Sequence, residues 1–358
     1  MAINKGIVGI GDAGGSVVAS DNFNPLLYNG NSTNDFGTSL AQSVTGVGFQ
    51  PDLVWIKART VSYTHGWFDS VRGATNYLSS NTTGSQASSA GFLKSFDSDG
   101  FGLGGDFAFN RNPNPYVAWN WKAGGAPTAT NSAGAGNVPT SGSVMIDGVA
   151  STAALAGTIA ATSISANTAA GFSIISYTGA SGTVGHGLDS TPEIIIQKKT
   201  NGTEDWYVYF PPGVINSNYN YMVLNTSNTG IGTTGSTPPT TTTFNPVSNS
   251  GNYIAYAFHS IAGYSKIGTY TGTSVANHSI VTGFKPAWVM IKNTNSGYSW
   301  IITDDKRTTD KILYANLSQG EDTTSNGITS FDSNGFTLGT AVSFNQNTNV
   351  YIFMAFAE

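Results

Sequence analysis

A ten-residue motif recurs far along this chain with six positions identical: GFQPDLVWIK at 48–57 returns as GFKPAWVMIK at 283–292, 235 residues later. The same offset carries Asp69 to Asp304, Arg72 to Arg307, Leu78 to Leu313, Asn81 to Asn316 and Tyr116 to Tyr351. It also lays SFDSDGFGLG (95–104) over SFDSNGFTLG (330–339). One register held over about 70 residues identifies two copies of one domain, the signature of a repeat architecture. A third, more diverged copy lies between them. TPEIIIQKK (191–199) resembles the first strand motif, and YIAYAF (253–258) matches YVAWNW (116–121) and YIFMAF (351–356). Each copy opens on a Tyr-x-Gly turn, at Tyr28, Tyr177 and Tyr270. The middle copy lacks the Asp-x-x-Arg pair and the Phe-Asp-Ser motif.

These matches divide the chain into an N-terminal arm (1–21) and three units at 22–125, 172–262 and 263–358. Between the first two, residues 126–171 read as a Gly/Ala/Thr-rich linker or arm, opening with APTATNSAGAGNVPTSGS. Only 11 residues separate Phe258 from Tyr270, so the second and third units are expected to dock rigidly. Helical signals are sparse. Thr, Ser, Val, Ile, Tyr and Phe crowd into short runs broken by Gly, Asn and Pro, which reads as many short strands. The fold class expected is all-β: three tandem antiparallel β-sandwich, jelly-roll-like units of about 100 residues each.

Strands alternate their side chains between two faces. Leu53 and Trp55 oppose Val54 and Ile56, and Trp288 and Met290 oppose Val289 and Ile291, so both faces of this strand are apolar. In the aromatic strand, Val117, Trp119 and Trp121 oppose Tyr116 and Ala118. Such strands are covered on both sides, as at a contact between domains or subunits. Trp55, Trp119 and Trp121 therefore read as core. Trp67 and Trp300 flank a less regular stretch and are the candidates for a platform that stacks on sugar rings. Asp69 with Arg72, and Asp304 with Arg307, place a carboxylate and a guanidinium three residues apart, the spacing of a bidentate pair that pins a turn; a ligand contact is the alternative. Asp97-Ser98-Asp99-Gly100 resembles the start of a calcium loop but lacks its distal Glu, and Asn334 replaces the second Asp in the repeat. Hairpin turns use these residues, with weak cation binding the alternative.

Composition removes several functions. Charged residues are only 10% of the chain while aromatics reach 12%, the reverse of a disordered sequence. The 15 Lys and Arg are scattered and the net charge is −5, so clustered phosphate contacts, and hence nucleic acid, are not expected. There is no cysteine, and the four histidines show no H-x-x-x-H spacing, so neither a thiolate nor a metal site is expected. None of the nucleophile-elbow, S-x-x-K, zincin or P-loop motifs occurs. A glycosidase-type carboxylate pair drawn from distant strands stays open, but the chain reads as non-enzymatic, with no cofactor. The N-terminus does not read as a signal peptide. The uncharged stretch 148–188 is too rich in Ser, Thr, Ala and Gly to span a membrane, so no membrane insertion is expected and a protein made in a cytoplasm is.

Taken in order, the Y-x-G opening, GF-x-P-x-x-V-x-IK, D-x-x-R, SFDS[DN]GF-x-LG and the closing Y-[VI]-x-x-x-[WF] strand resemble a family of bacteriophage virion proteins common in phages of marine bacteria and cyanobacteria. WNWKAGGAPTATNSAGAG, GTIAATSISANTAAGFSIISYTG and the terminal YIFMAFAE resemble it too. The resemblance covers about Asn22 to Glu358. It implies concanavalin- or laminin-G-like sandwiches on the outside of a particle, and no catalytic site. The function expected is thus a virion structural protein, most simply a tail-fibre or host-facing appendage component, with a capsid decoration or head-fibre protein as the alternative. A carbohydrate-binding module for host surface glycans is a further reading, and a depolymerase the last. Partners would be other virion proteins and further copies of the chain, a trimer for a fibre, with the N-terminal arm laid against a neighbour.

Overall fold

Runs rich in Val, Ile, Tyr, Trp and Phe become strands here because each buries one face or both, and Gly- and Asn-containing turns end them. The structure, a computed structural model, describes residues 17–33, 41–131, 138–179, 181–210, 220–233, 237–246 and 250–358. Residues 1–16, most of the expected N-terminal arm, lie outside the described residues. The rest of the arm forms one turn of 3-10 helix, Ala19–Asp21.

The first repeat contains β1 (Phe23–Asn29), β2 (Gln42–Thr45), β3 (Leu53–Ala58), β4 (Gly66–Asp69), β5 (Asn76–Leu78) and β6 (Ala87–Ser88). It continues with β7 (Leu93–Asp97), β8 (Gly100–Leu103), a single helical turn α1 (Phe107–Asn110) and β9 (Pro115–Trp121). Then come β10 (Val144–Ile146), β11 (Val149–Ala150), β12 (Ser163–Asn167), β13 (Phe172–Gly179), β14 (Val184–Gly185) and β15 (Ile194–Lys199). Next are β16 (Tyr207–Phe210), β17 (Asn220–Val223), β18 (Gly232–Thr233), β19 (Thr243–Phe244) and β20 (Gly251–Phe258). The last part holds β21 (Ser265–Thr271), β22 (His278–Val281), β23 (Trp288–Asn293), β24 (Ile301–Asp304), β25 (Lys311–Tyr314) and β26 (Asp322–Thr323). It closes with β27 (Ile328–Asp332), β28 (Gly335–Leu338), α2 (Val342–Asn345) and β29 (Val350–Phe356).

Among the described residues the strands form three large sheets, each with a small companion. The first large sheet has the order β1-β9-β3-β4-β5-β6 and the third β21-β29-β23-β24-β25-β26, the same topology strand for strand. The second, β11-β10-β12-β13-β20-β15-β16-β17-β18, repeats that order from β13 to β18 and adds three strands at one edge. The small sheets are β2-β8-β7, β14-β19 and β22-β28-β27. Register makes the equivalence residue by residue. Leu53 faces Trp121, Ile194 faces Phe258 and Trp288 faces Phe356 across the central strand pair. The three opening tyrosines stack on partners in the next strand at 5.1, 5.5 and 4.8 Å: Tyr28 on Tyr116, Tyr177 on Tyr253 and Tyr270 on Tyr351.

Each large sheet is apolar on both faces. Its outer face packs on its small companion: Val54, Ile56 and Phe68 with Phe101 and Leu103 in the first, Val289, Ile291 and Phe353 with Phe336 and Leu338 in the third. The second is covered by Val184 and Phe244 over Ile175 and Ile195. The inner faces of all three large sheets meet in one central core. Trp55, Trp119 and Trp121 from the first, Ile196, Val208 and Tyr256 from the second, and Trp288, Met290 and Met354 from the third belong to it.

Residues 126–171 depart from the linker expectation. β10 to β12 lie within this segment and extend the second large sheet, β12 pairing with β13 from Ser163–Ser176 to Asn167–Phe172. All five residues of β12 are buried, and its serines bond to neighbouring backbone: Ser165 Oγ accepts from Gly124 N at 2.9 Å and Ser163 Oγ donates to Ala129 O at 3.3 Å. The Asp-x-Asp-Gly motif is a hairpin between β7 and β8, and Asp99 accepts the backbone N–H of Gly46 (3.1 Å) and Gly48 (2.7 Å). Gly100 and Gly335 sit at φ +149° and +157°, and a Cβ on either would strike the carbonyl of Val44 or Ile280. No helix among the described residues is long and apolar enough to cross a membrane.

Candidate functional site

Seven tryptophans in a chain of 358 residues must go somewhere, and here all seven go inside. Trp67 is 2% exposed and Trp300 is 1% exposed, so neither is a platform open to a sugar; the expected glycan contact at these two residues is overturned. Each faces the central core. Trp67 lies 4.9 Å from Tyr256 and 5.2 Å from Trp206, and Trp300 stacks at 6.4 Å on Phe210. Trp55, Trp119 and Trp121 are buried as read from the sequence, with Trp288 at 6.5, 6.3 and 5.6 Å.

What the recurring residues build is a set of seams joining neighbouring sheets. The residue just before β4, β16 and β24 is His65, Trp206 or Trp300, and each reaches a backbone carbonyl at the end of the fifth-position strand of the next sheet. Trp206 Nε1 donates to Ser79 O at 2.8 Å and Trp300 Nε1 to Val223 O at 3.0 Å. His65 Nε2 lies 2.9 Å from Tyr314 O and 3.1 Å from Leu317 O. Trp55 Nε1 donates to His65 Nδ1 at 2.8 Å, so Nδ1 accepts and the ring proton sits on Nε2, where it meets the third sheet. The three bonds run from second to first, third to second and first to third, and so close a ring.

The Asp-x-x-Arg pairs form the second layer of two seams. Arg72 donates to Asp69 through its backbone N (2.8 Å) and Nε (2.5 Å), and Tyr256 OH from the second sheet donates to the same carboxylate at 2.7 Å. Arg307 repeats this on Asp304 at 3.1 and 2.8 Å, with Trp119 Nε1 from the first sheet donating at 2.9 Å. Tyr256 and Trp119 hold the same register position, opposite Ile196 and Trp55. In the third sheet that position is Met354, and at the Asp position of the second sheet stands Phe210; both join the apolar core. The middle copy's missing Asp is thus matched by a missing donor on the neighbour, which avoids an orphaned buried charge. The pairs do pin their turns, as the spacing implies, but each also fastens one sheet to the next.

Three equivalent lysines, Lys57, Lys198 and Lys292, end the motif strands and are buried. Lys198 Nζ donates to Thr83 O at 3.1 Å in the first sheet's repeat, and Lys292 Nζ to Ser227 O at 2.9 Å in the second's. Lys57 Nζ stays within its own repeat, donating to Ala58 O at 2.9 Å. Burial lowers their pKa to about 7 for Lys57 and about 8 for the other two, a nearby Glu321 partly offsetting the effect at Lys57. Burial likewise lowers His65 to about 3, with Lys57 adding to it, and His186 to about 4. Tyr256 and Tyr264 are pushed up by burial. Asp52, also raised by burial, accepts from Ser70 Oγ, Ala123 N and Gly125 N at 2.6, 2.8 and 3.2 Å.

The sign of the pH dependence follows. Between roughly pH 7 and 10.5 the unfolded chain binds lysine protons that the folded chain refuses, so stability rises with pH through that window. Below about pH 6.5 the histidines act in the same direction, while the carboxyls of Asp52 and of Asp305, the latter raised by desolvation to about 6, act in the opposite one. Above about pH 10 the unfolded tyrosines ionise and the buried ones do not, so stability turns down. Thermal midpoints measured from pH 5 to 11 are expected to peak near about pH 10; a curve flat or falling from 7 to 10 would contradict this account of the lysines.

Sequence reading missed His65, Trp206, Tyr256, Arg59 and Glu321. The signal for Glu321 was available, since it stands 235 residues after Gln86 in the repeat register. His65 and Trp300 share that register too but not a residue type; a ring N–H is what they have in common.

Fold and site together define an all-β protein of sandwich-like sheets whose recurring residues join sheet to sheet. The chain belongs to the family described as a domain of unknown function, DUF7483, whose model matches residues 18–147 and 145–358. No curated protein and no solved structure gives a significant match.

Proposed function

We propose that this chain is a non-enzymatic structural protein of a bacteriophage particle, exposed on its surface. In this reading three tandem jelly-roll-like units, 22–125, 172–262 and 263–358, form a closed knob within one chain. The observation that carries it is the fate of the repeated residues. The tryptophans, the Asp–Arg pairs and two of the three buried lysines are spent on holding sheets together, which is what a passive component exposed to the outside needs when it has no cysteine to form a disulfide. The resemblance of the motif order to virion proteins supplies the setting, and a host-facing appendage is the place we favour, with other virion proteins as partners. Capsid decoration is a second reading, favoured by one feature: the threefold arrangement that a fibre obtains from three chains is made here from one.

The test is location. Antibody-bound gold against this chain, imaged on intact virions, is expected to mark the tail or its appendages. Label spread over the head would select decoration instead, and particles without label would overturn the virion reading.

A further inference from the structure

Two of the seams can be compared atom for atom, and the comparison exposes a pocket. Where the third sheet meets the first, Glu321 N donates to Arg59 O at 2.6 Å; where the first meets the second, Gln86 N donates to Thr200 O at 2.9 Å. These are the same backbone bond, so Glu321 corresponds to Gln86 and Arg59 to Thr200. Around them Arg307 corresponds to Arg72.

In the first of these seams the space is filled by charge. Arg307 Nη1 reaches Glu321 Oε1 at 3.3 Å, and Glu321 is held through both its oxygens by Arg59, at 2.5 and 3.2 Å. In the other, Glu has become Gln and Arg has become Thr. Both formal charges are gone together, and a cavity of about 370 Å³ remains, within the range of small-molecule sites. The Arg72 side chain is only 5% exposed, and its Nη1 makes a long 3.4 Å contact with Gln86 Oε1 at the cavity wall. Hydroxyls and amides line most of the rest, among them Gln86, Thr162, Ser176, Thr178, Thr200 and Asn252; Val71 adds an apolar side chain, and Tyr177 borders the cavity with its ring stacked on Tyr253 in the outer layer. Thr178 and Asn252 are exposed, so the mouth opens to solvent. Ser176 stands at the register position that Leu27 occupies in the first sheet, so a hydroxyl replaces an apolar side chain on the floor.

We infer that this cleft between the first and second sheets binds an uncharged, polyhydroxylated ligand, a neutral hexose unit of a glycan. Charge decides between neutral and acidic sugars. The Glu321 carboxylate is answered by two arginines. A ligand carboxylate in the equivalent place would meet only Arg72, whose charge Asp69 already answers, and would bear the desolvation penalty of a buried charge. Sugar hydroxyls both donate and accept, and match a wall of amides and hydroxyls without that cost. Recognition by hydrogen bonds without a stacking ring gives weak binding at a single site, so the assay runs at millimolar sugar. This site is independent of Trp67 and Trp300, and it stands whether or not the chain belongs to a particle.

The full chain is examined by saturation-transfer NMR with methyl glucoside, methyl galactoside, methyl mannoside and galacturonate. At least one neutral hexoside is expected to receive transfer, with galacturonate weaker. The variant Gln86→Glu/Thr200→Arg rebuilds the sister seam's ion pair inside the cleft; it is expected to keep the thermal midpoint and to weaken binding by at least about tenfold. Ser176→Leu, which installs the residue of the first sheet on the floor, serves as the second variant. Absence of transfer to every neutral hexoside, undiminished binding in both variants, or preference for galacturonate would overturn the assignment.

Discussion

Replacing Asp304 with alanine is expected to destabilise the protein by about 3–5 kcal/mol, because it breaks a fully buried ion pair and leaves the Arg307 guanidinium only its longer 3.3 Å contact with Glu321. Arg307 and Asp304 are both inaccessible to solvent, and the carboxylate also receives Trp119 Nε1 from the first sheet. Removing it therefore takes the acceptor from Trp119 Nε1 and the nearer of two carboxylates from Arg307, in a medium that cannot replace them. The loss is a large share of the 5–15 kcal/mol typical of a folded domain. Guanidinium unfolding should show a lower midpoint at an unchanged slope. Arg307→Met added to Asp304→Ala should recover part of the loss, since the guanidinium is then gone and Glu321 keeps both of its bonds to Arg59. The chain already contains an apolar solution at the third seam, where Phe210 stands at the Asp position and Met354 at the position of the Trp119 donor. A cost below about 1 kcal/mol for Asp304→Ala would mean that water reaches Arg307 and that the seam is wetter than its burial implies.

Trp300→Ala is expected to cost about 3–5 kcal/mol, the range for emptying a buried tryptophan site. Three losses combine: the packed ring, the stack on Phe210 at 6.4 Å, and the donor to Val223 O at 3.0 Å that ties the third sheet to the second. Trp300→Phe separates them, since it keeps an aromatic ring and removes the indole N–H; about 1 kcal/mol is expected from the lost hydrogen bond, with a small packing change added. A sugar-binding platform makes the opposite forecast, with stability unchanged in Trp300→Ala and ligand affinity lost. Chemical denaturation of the two variants decides between these readings.

The repeat was legible because identical residues face identical surroundings. Asp69 and Asp304 each accept from an arginine three residues on, and the alternation around Trp55 and Trp288 places the same side chains toward the same two layers. The seams were less legible because their chemistry survives changes of residue. His65 and Trp300 do one job with different rings, and Tyr256 and Trp119 do another with an O–H and an N–H. Trp67 and Trp300 read as two candidates for one platform; they are different positions, one within a strand and one just before it. Segment 126–171 misled for the opposite reason. Its small, uncharged residues match flexible chain in composition, yet β12 pairs with β10 and β13 and is buried along its whole length. The second sheet's cleft was invisible without the fold, since Gln86 and Thr200 are 114 positions apart and ordinary on their own.

One consequence concerns synthesis. β29 is an interior strand, hydrogen-bonded to β21 on one side and β23 on the other, and its Ile352, Met354 and Phe356 enter the core shared by all three large sheets. Phe356 lies 5.2 Å from Phe23, near the start of the first sheet. Until residues 350–356 have left the ribosome, the nascent chain holds two finished sheets that meet along one seam while the third side of their shared core stays open. The apolar surface that ends as the best-protected part of the molecule is for most of translation its most exposed. Chain termination anywhere upstream of that strand yields an aggregation-prone fragment, not a smaller working version of the protein.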